Sequence, residues 1–260
     1  MTQNEKISVR GVLFDNVTMG EAVSYAWEYI ESDSSVGAVF TPNAEIVQMC
    51  VENNENYSLI NSAALVLPDG SGVVKAAKIL GTPLKEKVAG VEFGEALVRT
   101  STEHNAGIFF LGGKPGVAET AAEKLSEKYP GTVFCGTHDG YFDKSGEEND
   151  KVIESINASG AKILFVCFGV PAQEKWIAAN KDRLTSVRLC LALGGSLDVY
   201  AGTVKRAPKI FIKLGLEWFY RLLCQPSRIG RMMALPRFLI GTYKEKAKKQ
   251  KEIKKSEQIP

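Results

Sequence analysis

The stretch FVCFGVPAQEKWI, residues 165–177, runs from an apolar strand into the polar first turn of a helix. Gly169 and Pro171 separate the two parts, and Gln173 and Glu174 follow at once. In an open α/β sheet, ligands bind in the crevice outside the carboxyl ends of the strands. The stretch therefore predicts a strand end at a ligand-binding edge, with side chains suited to hydrogen-bond a polar ligand.

The same alternation of apolar runs and helical periods continues along most of the chain, which is typical of β-α-β units around a parallel sheet. Thr18 and Glu21 form a capping-box pattern ahead of the first helix, and residues 45–58 are predicted to form one helix. We expect an α/β fold with a Rossmann-like parallel sheet flanked by helices. The strand candidates are Val12–Phe14, Gly37–Phe40, Ala64–Leu67, Gly107–Leu111, Thr132–Cys135, Ile163–Phe168 and Leu189–Ala192.

The chain divides by charge near Gly202. Residues 205–260 carry 15 Lys and Arg against 4 Asp and Glu, a net charge of +11, whereas residues 1–204 carry 17 against 26, a net charge of −9. In the basic part, aromatic and aliphatic residues alternate with arginines, as in amphipathic helices at a membrane interface. We expect an α/β domain of residues 1–204 and a basic amphipathic, membrane-associating appendage of residues 205–260.

An alternative for the basic segment is that its apolar residues pack on the main domain and its lysines form a solvated tail. All seven strand candidates precede Gly202, so truncation at Lys205 is expected to leave the core intact.

Composition excludes several classes of protein. Five cysteines without a C-x-x-C pair indicate a reducing cytosol, with neither disulfides nor zinc. We see no signal peptide and no apolar run of membrane-spanning length, so a cytoplasmic location is expected. The two histidines, His104 and His138, are predicted to lie in loops away from the strand ends, and no metal-binding motif is present.

Three polar residues follow the second and third strand candidates. Thr41 and Asn43 stand between a strand and a helix, where the ordinary role of such residues is to cap the helix. Asp69 stands between Pro68 and Gly70, which suits a turn residue or a general base at the cleft. Both interpretations stay open at this point.

Glycines follow two later strand candidates. Gly112, Gly113 and Gly116 let backbone amides approach a phosphate at a helix start, although a plain tight turn explains their G-G-x-x-G spacing nearly as well. Gly195 ends another strand, and Asp198 lies one turn into the helix that follows.

Two other classes of function compete. A nicotinamide-dependent oxidoreductase shares this type of sheet but needs the dinucleotide-binding glycine spacing, which the chain lacks. A nucleic-acid-binding protein could use the basic tail, but the apolar residues between its arginines favour a membrane, so no nucleic-acid partner is expected.

Taken together and in order, these segments resemble the WecG/TagA/CpsF family of glycosyltransferases of bacterial surface-polymer synthesis. The matching pieces are TPNAEI, LPDGSGVV, KVAGVEF, FFLGGKPGVAE, FGVPAQEKWI, GGSLDVYAGTVKRAP and LEWFYRLLCQPSRIGR. The resemblance implies an inverting hexosyltransferase without a cofactor. It would move an N-acetylmannosamine-type sugar from a UDP donor to undecaprenyl-diphosphate-linked N-acetylglucosamine, as in teichoic acid linkage-unit synthesis, on the inner face of the cell membrane.

The resemblance also implies roles for individual residues. Asp69 would be the base, with Thr41 beside it, and Lys87 stands where the family has an arginine, so a bidentate contact would be lost. The residues that would bind substrate or nucleotide are Asn43, Lys87, Gly112, Gly113, Gly116, Gln173, Glu174, Gly195 and Asp198. Those that would bind diphosphate or membrane are Arg221, Arg228 and Arg231.

The sequence leaves open the exact UDP-sugar, a uronic-acid form among the alternatives, and whether the product is teichoic acid, capsule or exopolysaccharide. It also leaves open whether the protein is a homo-oligomer.

Overall fold

The structure, a computed structural model, describes residues 4–32, 35–204, 207–224 and 229–256. Its strands are β1 (Lys6–Val9), β2 (Val12–Asp15), β3 (Gly37–Phe40), β4 (Leu65–Val66), β5 (Ile108–Gly112), β6 (Phe134–His138), β7 (Ile163–Cys167) and β8 (Leu189–Ala192). Six of them form a parallel sheet in the order β4-β3-β8-β7-β5-β6. The predicted α/β class with a parallel sheet is confirmed.

Helices cover both faces of this sheet, so β5, β7 and β8 are buried along their whole length and read as continuous apolar runs. The helices are α1 (Met19–Glu31), α2 (Ala44–Glu52), α3 (Asn54–Asn61), α4 (Ser71–Leu80), α5 (Gly90–Thr100), α6 (Val117–Lys128), α7 (Gly146–Ser159), α8 (Ala172–Asn180), α9 (Ser196–Tyr200), α10 (Lys209–Lys213), α11 (Glu217–Cys224), α12 (Ile229–Met232) and α13 (Ala234–Ser256), with a 3₁₀ turn at Lys181–Arg183. One core contains buried residues of α2, α4, α7 and α8, and the other contains those of α1, α5, α6 and α9.

The first strand candidate is in the wrong sheet. Val12–Phe14 belongs to β2, which pairs antiparallel with β1 in a separate hairpin. Arg10 and Gly11 form the turn with φ of 55° and 91°, the positive values that two-residue hairpin turns require. The carboxylate of Asp15 then joins the hairpin to the main sheet, because its Oδ2 accepts a hydrogen bond from the backbone N–H of Val66 at 2.8 Å.

Two further boundaries differ from the prediction. The helix expected over residues 45–58 is two helices, because Asn53 ends α2 and its side chain caps α3. The strand expected at Thr132–Cys135 is displaced to Phe134–His138. His138 is therefore the last residue of a strand, and its predicted loop position away from the strand ends is wrong.

The core does not end at Gly202. Phe238 on α13 is completely buried in the same cluster as residues of α2 and α4, and Thr242 is also fully buried. Phe238, Gly241 and Thr242 recur at the helical spacing i, i+3, i+4, so one face of α13 packs on the α/β domain. The expectation that truncation at Lys205 leaves the core intact is wrong, since it would remove Phe238.

Candidate active site

The carboxyl ends of the six parallel strands form one edge of the sheet, and all the site residues predicted before residue 204 lie on or beside it. The strand order places the ends of β4 and β3 at one side and those of β7, β5 and β6 at the other, with β8 between. At about 4.8 Å between neighbouring strands, the ends of β4 and β5 are about 19 Å apart. The edge is therefore long enough to hold a ligand of several linked groups.

Thr41 and Asn43 follow β3 directly. The Oγ1 of Thr41 donates to the backbone oxygen of Ala192 at the end of β8, at 3.4 Å. Asn43 is the N-cap of α2, and its Oδ1 accepts from the backbone N–H groups of Glu45 and Ile46 at 2.9 and 3.1 Å. The capping interpretation of Asn43 is confirmed, and the cap fixes the side chain at the edge.

Asp69 follows β4 and faces the start of α5. Its Oδ2 accepts from the backbone N–H of Gly90 at 3.5 Å. A β-carbon at Gly90 would lie 2.8 Å from Thr41 Oγ1 and 3.2 Å from Leu193, so only glycine fits between them. Gly90 thus brings Asp69 and Thr41 to the same point of the edge.

Lys87 lies in the loop that leads to α5. The next residue, Val88, donates its backbone N–H to the oxygen of Pro68 at 3.0 Å, and Pro68 immediately precedes Asp69. The structure therefore places the loops that carry Lys87 and Asp69 side by side.

The glycines after β5 adopt backbone conformations that favour glycine. Gly112, Gly113 and Gly116 have φ of 138°, 75° and 83°. A β-carbon at Gly112 would lie 2.5 Å from the backbone oxygen of Cys167, so the loop lies directly against the end of β7. Gly116 is the N-cap of α6 and provides no side-chain cap; the N–H of Val117 donates to the backbone oxygen of Lys114, and N–H groups that follow it in the first turn can face an anion.

Gln173 and Glu174 are both 2% exposed, and neither side chain projects into open space. Gln173 Oε1 accepts from the backbone N–H groups of Gly169 at 3.2 Å and Gly194 at 3.0 Å, and its Nε2 donates to Glu174 Oε1 at 2.8 Å. Burial raises the pKa of Glu174 from 4.5 to about 7. The pair joins the loops after β7 and β8.

Gly195 and Asp198 lie at the end of β8. Gly195 is the N-cap of α9, and Asp198 Oδ1 accepts from Thr203 Oγ1 at 3.3 Å. Lys124 on α6 donates to the backbone oxygen of Ala201 at 2.7 Å and so holds α9 against α6. The glycine turn after β5 and the Asp198 segment therefore lie on two helices that pack together.

The segment after residue 204 reaches this edge. Ser71 lies at the start of α4, two residues after Asp69. Its hydroxyl donates a hydrogen bond to the backbone oxygen of Gly215 at 3.1 Å. A groove of about 280 Å³ also separates α2 and Val170 from Gly230 and Ala234. Arg221 and Arg231 belong to α11 and α12 but their side chains are not among those described, and Arg228 lies outside the described residues.

Sequence reasoning missed two features of the edge. Gly90 was overlooked because its role depends on Thr41 and Asp69, which only the fold brings to it. Gly140, after β6, donates its backbone N–H to Gly113 at 2.8 Å and so adds a further loop to the edge. A glycine just after a strand was the available signal for Gly140, whereas Gly90 starts α5 and had no such signal.

The described ranges contain no group of three or more His, Cys, Asp and Glu side chains placed to hold a metal ion. No helix in the part of the chain that the structure describes is long and apolar enough to span a membrane. A larger cavity, of about 590 Å³, lies at the opposite edge of the sheet beside Gly37 and Ala64, away from every predicted site residue.

Known proteins match the chain over nearly its whole length. The profile described as "Glycosyl transferase WecG/TagA/CpsF family" matches residues 7–252. Relatives from Staphylococcus aureus strains MRSA252 and NCTC 8325 / PS 47 are each 36% identical over 249 residues, which is 95% of this chain and 96% of the relative. Both are named N-acetylglucosaminyldiphosphoundecaprenol N-acetyl-beta-D-mannosaminyltransferase.

Proposed function

The chain belongs to the WecG/TagA/CpsF family and is a hexosyltransferase, and from this premise we propose that it transfers N-acetylmannosamine from a UDP donor to undecaprenyl-diphosphate-linked N-acetylglucosamine. The observation that carries the proposal is the match to the relatives over 95% of the chain, together with the grouping of Thr41, Asn43 and Asp69 at one side of the edge. In the cell this step would serve teichoic acid synthesis.

Asp69 is proposed as the general base. It would take the proton of the acceptor hydroxyl as that oxygen attacks the anomeric carbon of the donor sugar and the bond from that carbon to the UDP oxygen breaks. A single displacement of this kind inverts the anomeric centre. The hydrogen bond from the backbone N–H of Gly90 to Asp69 Oδ2 helps to hold the carboxylate in place. Thr41 and Asn43 would orient the sugars beside it.

The departing UDP would lie toward the β5, β7 and β8 side of the edge. Uncapped backbone N–H groups at the start of α6 carry positive partial charge, and Gly113 and Gly195 allow a close approach of phosphate. Lys87 and the basic segment supply further positive charge. We therefore propose that transfer is independent of metal ions, since these groups can stabilise the diphosphate.

The segment after residue 204 is proposed to bind the inner face of the cell membrane, where the acceptor is found. Ile210, Leu214, Leu223 and Ile229 are 59–66% exposed, so α10, α11 and α12 present apolar side chains to the outside. The contact between Ser71 and Gly215 places this segment next to Asp69. Arg221, Arg228 and Arg231 would contact lipid phosphate or the UDP diphosphate.

The experiment is a transfer assay with purified protein, an undecaprenyl-type acceptor and a panel of UDP-sugars, read by UDP release. UDP-N-acetylmannosamine should give the fastest release, only when acceptor is present, and EDTA should leave the rate unchanged. Asp69→Asn is the matched control, because acceptor-dependent release of UDP should fall sharply when the proposed base is removed. Equal release without acceptor, or preference for a different UDP-sugar, would contradict the proposed substrates, and loss of activity in EDTA that magnesium restores would contradict metal independence.

A further inference from the structure

Gln173 is a link between two loops of the edge. Its Oε1 accepts two backbone hydrogen bonds, from Gly169 after β7 and from Gly194 after β8. Both glycines have positive φ, 83° and 57°, so their N–H groups turn toward this one oxygen. One buried amide oxygen therefore fixes the relative position of the two loops.

The link depends on the orientation of the amide. Rotated by half a turn, the group would direct its N–H hydrogens at the N–H groups of Gly169 and Gly194, and both bonds would be lost. Glu174 distinguishes the two orientations, because its Oε1 accepts from Gln173 Nε2 at 2.8 Å and its ionised form has no hydrogen to donate in return.

Glu174 occupies an unfavourable place for a group with no role. It is 2% exposed, and its Oε2 has no hydrogen-bond partner among the described residues. Buried polar groups without partners are rare and costly, so each one calls for an explanation. Glu55, by contrast, pairs with Lys175 on α8 with both side chains exposed, and so serves as a control for surface charge.

We propose that Glu174 is a positioning residue that, through Gln173, holds the loops after β7 and β8 in the arrangement that transfer requires. The inference rests on the proposed function, in which the Gly195 and Asp198 segment binds the nucleotide. It differs from the sequence-based prediction, in which Gln173 and Glu174 themselves hydrogen-bond the substrate.

The test reverses the polarity of the hydrogen bond. In Gln173→Glu the carboxylate can still accept from both glycines but cannot donate to Glu174. At pH 8, above the pKa of Glu174 of about 7, two buried carboxylates then face each other and repel, so the assays are run at that pH. In the double variant Gln173→Glu, Glu174→Gln, the new amide donates to the new carboxylate, and the link is restored with the same net charge. We expect Gln173→Glu and Glu174→Ala each to lower kcat/KM about tenfold or more, mainly through donor KM, and the double variant to recover most of it.

Hydrogen exchange of the peptides that contain Gly169 and Gly194 gives a readout that does not depend on activity. Exchange should be faster in Glu174→Ala and in Gln173→Glu, and near wild type in the double variant and in Glu55→Gln, the exposed control. If the wild type transfers none of the sugars, the proposed function fails, while the exchange data still test the link. The proposal is overturned if either single variant keeps wild-type exchange and kcat/KM, or if the double variant is no better than Gln173→Glu.

Discussion

The carboxyl edge of the sheet and the segment after residue 204 use opposite kinds of side chain. At the edge, the side-chain oxygens of Asn43 and Gln173 accept hydrogen bonds from backbone N–H groups, and glycines let neighbouring loops come into contact. In the later segment, Ile210, Leu214 and Ile229 are more than 60% exposed. The edge is therefore held together by hydrogen bonds within the chain, whereas the later segment leaves large apolar side chains exposed.

Helix α13 joins the two regions. Phe238 is completely buried, whereas Ile240, two residues later, is 57% exposed. A single helix thus contributes one face to the core and leaves the other available. The following variants test whether catalysis, stability and surface binding are separated in the way that this contrast indicates.

Asp69→Asn should give the largest loss of turnover of all the variants. Loss of a general base lowers the rate by about two to four orders of magnitude. The amide keeps an oxygen that can accept from Gly90, so folding and nucleotide binding should change little. Turnover and UDP titration calorimetry on the same preparation measure the two effects. Near-native turnover would make Asp69 a structural turn residue.

Phe238→Ala should show that the later segment is part of the folded core. Removing a fully buried phenylalanine costs about 3–5 kcal/mol of unfolding free energy. Urea denaturation measures this loss, and Ile240→Ala on the exposed face is the control, with an expected change below about 0.5 kcal/mol. Equal effects of the two variants would mean that α13 does not pack on α2 and α4 through this face.

Glu174→Gln should remove the part of the unfolding free energy that the wild type loses as pH rises from 4.5 to 7. Burial raises the pKa of Glu174 from 4.5 to about 7, so between these values the folded protein holds a proton that the unfolded chain releases. Stability therefore falls as pH rises from 4.5 to 7 and is constant above that range. The free energy of unfolding of the wild type, relative to the variant, should fall by about 3 kcal/mol from pH 4.5 to pH 8.

Urea denaturation across that pH range measures the difference for Glu174. Glu55→Gln is the control, because Glu55 is exposed and its removal should leave the shape of the curve unchanged. Parallel curves for wild type and Glu174→Gln would show that the carboxyl titrates at its ordinary pKa.

The sequence predicts the central strands of the sheet better than its hairpin. The strands β5, β7 and β8 were found because both of their faces are buried, which leaves an uninterrupted apolar run. The short run Val12–Phe14 was assigned to the wrong sheet because three apolar residues do not identify the strand they pair with. That pairing depends on the positive φ of Arg10, which carries no strong sequence signal.

The candidate site was predictable only in part, for a similar reason. Strand-end polar residues such as Asp69 stand out because a loop carries them to a known edge. The burial of Glu174 was not predictable, since a charged residue in the first turn of a helix is ordinarily exposed. Its environment depends on α8 packing against α3 and the sheet, which are separated from it in the chain.

Asn43→Ala and Thr41→Ala should separate capping from catalysis at the edge. Each loss of a substrate hydrogen bond should lower turnover by about one to two decades. Asn43→Ala should also cost about 1 kcal/mol of stability, because it removes the cap of α2, while Thr41→Ala should cost less. Asn43→Asp keeps the cap and should restore stability without full turnover. If it restores both, capping is the whole role of Asn43.

Ile240→Ser should have the smallest effect, and only on the outer surface. If the exposed face of α13 enters the membrane interface with α10, α11 and α12, removing this partly exposed side chain costs about 1 kcal/mol of binding, or about fivefold in partition to anionic vesicles. Activity on a short-chain, water-soluble acceptor should be unchanged, because Ile240 faces away from the core that supports Asp69. Val133→Ser is the matched control, since Val133 is 59% exposed but precedes β6 on the α/β domain. Should Val133→Ser weaken vesicle binding as much as Ile240→Ser, the protein adheres to lipid through any exposed apolar group, and the contrast between the edge and the later segment does not extend to membrane binding.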